Sequence, residues 1–554
     1  MTVRLNIQSR VTRLLALVVV GCVVAAAGAC TNSDPAPPPS TTAAPPTAPV
    51  TSGGTGGTNG TFRLGVSGLT TLDPAEVTPT VQANMIAVDL LFDGLTAIDA
   101  GTTLPVPSLA ATVTPNADLT VWTFPLRDAT FSDGPPVTAA DVKFSLERIA
   151  SKGVVSLAGS RLDVIAGYQE FVDGAPELTG IKALDARTVE ITTRIPYAPL
   201  PSLLASPVYG IVPKAAVQTL QADFATKPVG AGPFAFVSMT DDLLKVKKAA
   251  GSPARLDGVD LVRFADRSAP LQALRDGKVD WAPVADGSSA DALQDVGNVV
   301  PGAHSTDSFF GFNLASPVVG ASKNMFRKAI VKAVDRKKIA TTILGSTAPM
   351  NGVVPPGVQG HTDDPCGDTC AFDVAAAKQL VAETFPDGNV PTVEVDSYSD
   401  SRNEPQTVAQ TKATDQIVED LRSAGIPATA VVKPIEEYRT YAASSPERQL
   451  FSYGWVGLSP DADLYIAPLF LSTSLDNTTG FKVGAVDDAI AKARATADPK
   501  ERANQYAEIE KQIMAFVPVM PLANLDSGVV VKRTVKDYQS RLDGTFDSVR
   551  VTVG

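Results

Sequence analysis

Between Phe309 and Gly345 the hydrophobic pattern changes from the period of a strand to that of a helix, and this change restricts the fold more than any other stretch. Phe310, Phe312 and Leu314 alternate with Gly311 and Asn313, which predicts a strand with one buried face. From Asn324, Phe326, Ala329, Ile330, Ala333 and Val334 recur at helical spacing, while Arg327, Lys328 and Lys332 take the opposite face. Asp335 is placed to cap a second short helix holding Ile339, Ile343 and Leu344, which Gly345 would end. The side chains of this block are expected to pack.

The N-terminus reads as an export signal. Arg4, Arg10 and Arg13 precede an uncharged apolar run from Leu14 to Ala29, which is shorter than the roughly 20 residues of a membrane span. It ends in Ala27-Gly28-Ala29-Cys30, which resembles the lipobox that bacteria cleave before a lipidated Cys; Val19-Val20-Gly21-Cys22 also fits, but cutting there would leave an apolar stub, so Cys30 is the expected lipid site. Losing residues 1–29 removes three arginines and no acid, so the formal charge goes from −12 to −15. An acidic chain without a basic cluster argues against nucleic acid and against electrostatic docking on anionic lipid. Residues 30–60 are mainly Pro, Thr, Ala, Ser and Gly with one acid, Asp34, and are expected to form a disordered tether. It would span roughly 30 Å as a coil and about 90 Å if its Pro-rich half is extended.

The body starts at Thr61, where Phe62, Leu64 and Val66 alternate with Arg63 and Gly65. From there to the C-terminus the chain is too long for one core and, with 44% apolar residues over the whole sequence, has material for two or three lobes. Trp122, Phe124 and Leu126 alternate, Asp133-Gly134 offers a hairpin turn, and Thr138 can cap a helix carrying Val142, Phe144 or Ser145, and Ile149. Farther on, Val393 and Val395 mark a strand. Ala413, Ile417, Leu421 and Ala424 line a helix that Gly425 stops, and a strand runs through Ala430 and Val432; such a βαβ unit implies parallel pairing. Two late helices start near Val486 and Pro499, the second ended by Pro518 and Pro521.

Several segments together resemble one family. FFGFNLASP followed by FRKAIVKAVDRKKI, LLFDGLTAID, LPVPSLA, WTFPLRDATFSDGPPVTAADVKFSLERI, PVGAGPF and LQALRDGKVDWAPV are similar to the markers of the oligopeptide and dipeptide group of ABC-importer solute-binding proteins, solute-binding protein family 5. The resemblance implies an α/β, two-lobed periplasmic-binding-protein-like fold of type II with an extra subdomain in the first lobe. The first lobe would cover 61–300, with the inserted subdomain at about 100–200, the second lobe 301–514, and residues 515–554 would return to the first lobe.

After signal removal Cys30, Cys366 and Cys370 remain; with Cys30 lipidated, an even pair in an exported chain favours a Cys366–Cys370 disulfide. The rival, a metal site with His361, lacks a second ligand pair. No cofactor is expected, and with two His in all a cluster of imidazoles is not available to hold haem or nickel. Gly-x-Ser-x-Gly, His-Glu-x-x-His and a phosphate loop are all missing, which points away from an enzyme. PVGAGPF fails as a nucleotide loop because Pro233-Phe234 reads as a strand start rather than a helix start.

The candidate ligand segment is Ser452 to Asp463, similar to the family's "Gly-Trp…Asp-Pro" loop that faces the cleft. Tyr453, Trp455, Asp461 and Asp463 suit an extended chain with a positive end. Phe312 and Asn313, where the second lobe opens, complete the candidate set. The family's peptide binders carry an Asp three residues after that Trp to pair the ligand's α-amine, and here Leu458 stands there. An ammonium without a partner is costly to bury, so either Asp461 or Asp463 takes that role or the ligand has no free amine. The resemblance thus implies a monomeric, lipid-anchored extracytoplasmic receptor on the outer face of the cytoplasmic membrane. It would capture a peptide between hinged lobes for an ABC permease. The alternatives are a sugar, a glycolipid fragment or a blocked peptide as ligand, or an envelope scaffold without transport.

Overall fold

Three sheets organise the chain in the computed structural model, which describes residues 60–153, 156–284, 293–300, 306–400, 405–525 and 528–554. The expected signal segment, Cys22, Cys30 and the tether as far as residue 59 lie outside the described residues. In chain order the first strand is Thr61–Ser67, whose Phe62, Leu64 and Val66 are buried as the alternation predicts. It pairs in parallel with Gly258–Phe264, and the helix Ala269–Arg275 covers the face on which Gly65 sits. A Cβ at Gly65 would lie 3.0 Å from Pro270, so the absence of a side chain lets helix and strand approach. The complete first sheet has seven strands in the order Asn298–Val300, Val529–Val531, Trp281–Pro283, Thr61–Ser67, Gly258–Phe264, Leu243–Lys248 and Phe234–Met239.

Inserted between its first two strands in sequence is a four-stranded sheet, Thr114–Pro115, Val121–Pro125, Thr188–Thr192 and Ile181–Ala183. Its helix Ala139–Ala150 begins in a capping box: Thr138 accepts from the amide of Asp141, whose carboxylate accepts from the Thr138 amide. Of the two inward candidates on that helix, Ser145 is the buried one, because its hydroxyl bonds Asp141 O and receives the Val212 amide.

The second sheet has five strands in the order Ala428–Pro434, Val393–Ser399, Leu450–Val456, Thr306–Phe312 and Val519–Asn524. Val393–Ser399 and Ala428–Pro434 pair in parallel across the helix Pro405–Ser423, the expected βαβ unit. Two expectations for this lobe need correction. The strand Thr306–Phe312 is buried on both faces rather than one, because it is flanked by Leu450–Val456 and Val519–Asn524 at the centre of the packed body. The return to the first lobe comes after Asn524 instead of at 515, because Val519–Asn524 adds to the free edge of Thr306–Phe312 before Val529–Val531 rejoins the first sheet. Pro518 and Pro521 mark the helix end but say nothing of which sheet the next strand joins.

The helix Asn324–Ala333 departs from simple amphipathicity. Arg327 and Lys332 are buried, not solvated. The Arg327 guanidinium donates to the carbonyls of Val517 at 2.9 Å, Val319 at 3.1 Å and Phe516 at 2.7 Å. Arg336 likewise donates to Met350 O at 2.6 Å and Pro521 O at 3.2 Å. Burial without a directly bonded carboxylate pushes both guanidiniums down to about 10, a direction that leaves them charged at neutral pH. These arginines therefore join loops to the helix through backbone carbonyls, a role that a helical wheel assigns to apolar residues. Asp335 caps the following turn at Lys338 N, as expected, and residues Ile339–Ile343 continue as a π-turn before Gly345.

Candidate functional site

A cavity lies where the two lobes meet. Its empty space, open solvent at the mouth included, is about 610 Å³. The first lobe contributes Ile98, Ala100 and Thr103 from the hairpin Thr96–Ile98/Pro105–Pro107, Ala205 and Ser206, and Ser540 to Asp543 from the C-terminal segment. The second lobe contributes Gly357 and the run Leu458, Ser459 and Pro460. The predicted loop thus reaches the cavity, through its centre rather than its ends.

None of the six candidate ligand residues is among those lining the cavity. Trp455 is the penultimate residue of the strand Leu450–Val456, is buried, and donates its Nε1–H to Leu464 O at 2.7 Å. The Arg161 guanidinium, from the first lobe's inserted subdomain, lies over the Trp455 ring at 5.0 Å and is ion-paired with Asp476 of the second lobe. Tyr453 packs its ring at 5.5 Å from Phe309, and burial pushes its phenol up. Phe312 is fully buried. Asn313 holds a turn, donating to Arg448 O at 2.9 Å and accepting from Ala315 N at 3.1 Å.

Both loop acids are buried and engaged. Asp461 pairs with Arg502 at 3.1 Å, yet burial outweighs that partner and its carboxyl is raised. Asp463 has the fuller set of partners: Arg494 Nε at 2.6 Å and Nη2 at 3.1 Å, Tyr197 OH at 2.9 Å, and Tyr506 OH. Burial alone would raise Asp463, but Arg494 and the two phenols reverse it, and the carboxylate is held below its usual range. Asp461 or Asp463 as a ready partner for a ligand amine is therefore replaced by internal ion pairs, since a buried carboxylate needs a resident cation when the site is empty.

Sequence reasoning missed most of the first-lobe wall. Ser206 is buried, lines the cavity, and its hydroxyl has no hydrogen-bond partner among the described residues. Arg541 binds both oxygens of Asp89, at 3.1 and 3.2 Å. Burial raises Asp89 to about 7 despite Arg541, with Asp543, Asp93 and Asp547 adding to the rise. Several contacts cross the junction: Tyr197 with Asp463, Arg161 with Asp476, Ser202 Oγ with Ser459 Oγ at 2.6 Å, and Gln359 Nε2 with Thr103 Oγ1 at 2.7 Å. No local pattern flags residues whose only shared property is meeting across lobes.

Cys366 and Cys370 form a disulfide. His361 does not join them: its Nδ1 bonds Val354 O at 2.7 Å, and among the described residues no group of three or more His, Cys, Asp or Glu is arranged to hold a metal. Nor, among the described residues, is any helix long and apolar enough to cross a membrane.

Comparison with known proteins matches residues 105–477 to the family described as bacterial extracellular solute-binding proteins, family 5 Middle. The glutathione-binding protein GsiB of Escherichia coli K12 is 26% identical over 499 residues, covering 86% of this chain and 90% of that protein. Among solved structures, HbpA2 from Haemophilus parasuis is similar with a TM-score of 0.74 at 20% identity, covering 90% of this chain and 100% of that one. AgaA from A. tumefaciens R10, in complex with agropinic acid, has a TM-score of 0.67 at 26% identity, covering 90% of this chain and 99% of that one.

Proposed function

The chain belongs to family 5 of the bacterial extracellular solute-binding proteins, and from that premise we propose that it is the extracytoplasmic capture subunit of an ABC importer, taking a peptide or peptide-like solute between its lobes. The observation that carries this reading is the cavity walled by both lobes, with Leu458 to Pro460 on one side and Ser206 and Ser540 to Asp543 on the other. A solute that touches both walls stabilises the closed form selectively, so capture and closure are one equilibrium. Likeness to the glutathione-binding protein of E. coli supports a peptide as the solute class. The apolar run before Cys30 and the Pro-rich residues 30–60 support a lipid anchor and tether, with Cys30 as the acylated residue and the body working as a monomer beside its permease.

Thermal denaturation against a pool of di- and tripeptides and against reduced glutathione tests the assignment. A ligand at 100 times its Kd raises stability by about 2.7 kcal/mol, a readily measured shift. Absence of a shift with every peptide would overturn peptide capture.

A further inference from the structure

We propose that the interlobe cavity takes a short peptide-like solute with no charged end, cyclic or blocked at both termini, gripped by apolar side chains of the two lobes with Leu458 and Leu542 at the contact. This rests on the reading of the chain as a solute-capture protein and names the class of solute within it.

Apolar groups reach the cavity from both sides. The second lobe brings Leu458 and Pro460, and the first brings Ile98, Ala100, Ala205 and Leu542. Leu542 also packs across the junction, since a Cβ at Gly357 on the opposite wall would lie 3.2 Å from Leu542 Cδ2. Glycine at 357, with φ +87°, leaves the space that this leucine uses. Burying apolar solute surface between the walls favours the closed form without any ion pair. Hydroxyls take part in the lining as well: Thr103 accepts from Gln359 Nε2 at 2.7 Å, and Ser459 shares a hydrogen bond with Ser202 at 2.6 Å. Each hydroxyl keeps capacity for a further bond, which suits an amide.

The charged groups around the cavity already have partners within the protein. Asp461 is bound to Arg502, Asp463 to Arg494 and Asp476 to Arg161. In the first-lobe wall Arg541 binds both oxygens of Asp89. Burial works against the Arg541 charge, and Asp89, Asp543, Asp547 and Asp93 outweigh it. Asp93 is ion-paired with Arg127 and Asp547 with Arg550, so Arg541 is left to balance Asp89 and Asp543. Of these two, Asp89 is the one that yields: burial raises it to about 7, which keeps the wall near neutrality. Asp543 is fixed in its turn, where Oδ1 accepts from the Thr545 amide at 3.0 Å and from Thr545 Oγ1 at 2.7 Å. A solute ammonium seated there would also meet the charge of Arg541. At the other pairs a charged end must displace a resident partner, and the displaced charge would then be buried unpaired.

The test is calorimetry of the full chain against four pools of dipeptides with the same apolar side chains: free at both ends, N-acetylated, C-amidated, and uncharged, the last made of N-acetyl amides and cyclic dipeptides. Wild type should bind the uncharged pool at least about tenfold more tightly than any charged pool, and that affinity should not fall with added salt. Leu458→Asp, which sets a carboxylate in the wall, should reverse the order in favour of free amines. Leu542→Ala should weaken the uncharged pool by roughly tenfold and leave the order of the pools unchanged. A charged pool that binds wild type as tightly as the uncharged one overturns the uncharged solute and leaves peptide capture standing. Wild-type order in Leu458→Asp, or undiminished affinity in Leu542→Ala, overturns the apolar contact. Failure of all four pools to bind wild type overturns peptide capture and this inference with it.

Discussion

Glu510 shows how much a single buried carboxyl can say about pH. Its Oε1 accepts from the amides of Val353 at 2.6 Å and Val354 at 3.0 Å, while Oε2 has no partner among the described residues. Burial raises it from 4.5 to about 7, against the pull of those two amides. Asp307, raised well above the usual range by burial in the central strand, feels the Glu510 charge as well. The folded state thus holds the Glu510 proton to higher pH than the unfolded chain does. Its contribution is complete below the unfolded value of 4.5 and is lost as pH rises through about 7. Glu510→Gln keeps an acceptor for both amides and removes the buried charge. The variant should match wild type near pH 4 and exceed it at pH 8 by on the order of 3 kcal/mol, read by urea denaturation at the two pH values. A difference that does not grow with pH would mean that Glu510 ionises at its ordinary value in the folded state.

At the scale of elements, sequence patterns carried local geometry well and surroundings poorly. The Thr138–Asp141 capping box and the Gly425 stop at φ +81° arise from groups acting within a few residues, and the parallel unit around Pro405–Ser423 from the succession of strand, helix and strand. Thr138→Ala should cost about 1 kcal/mol, since it removes one accepted amide and half of the reciprocal cap, measurable as a lower urea midpoint with unchanged slope. The burial of Arg327 and Lys332 was not legible in this way. Their helix is wrapped on its polar side by the segments around Val319, Val517 and Asp368, and long cationic side chains there satisfy carbonyls that no strand pairs. The same limit applies to Val519–Asn524, whose apolar content identifies a strand but not the sheet it joins.

Across the whole molecule the interlobe contacts decide how the protein closes. Arg161 reaches from the first lobe to pair with Asp476 and to cover Trp455, both on the second. Arg161→Met removes that bridge and leaves Asp476 without its cation. The closed form should lose about 3 kcal/mol, enough to move a closed-to-open ratio by roughly a hundredfold, and small-angle scattering of the ligand-free protein should show a larger radius of gyration. An unchanged radius would mean that Tyr197–Asp463 and Ser202–Ser459 hold closure without it.

From sequence alone came the α/β class, the family and the cysteine pair. Each is written in periodicity, turn chemistry or a contiguous motif, interactions that act over a few residues. Tertiary structure alone decided that Trp455, Asp461 and Asp463 face Arg161, Arg502 and Arg494 while Ser206 and Asp543 line the cavity. Whether a carboxylate is free for a ligand depends on which cation folding brings beside it, and Asp463 meets Tyr197 from a position 266 residues away in the chain.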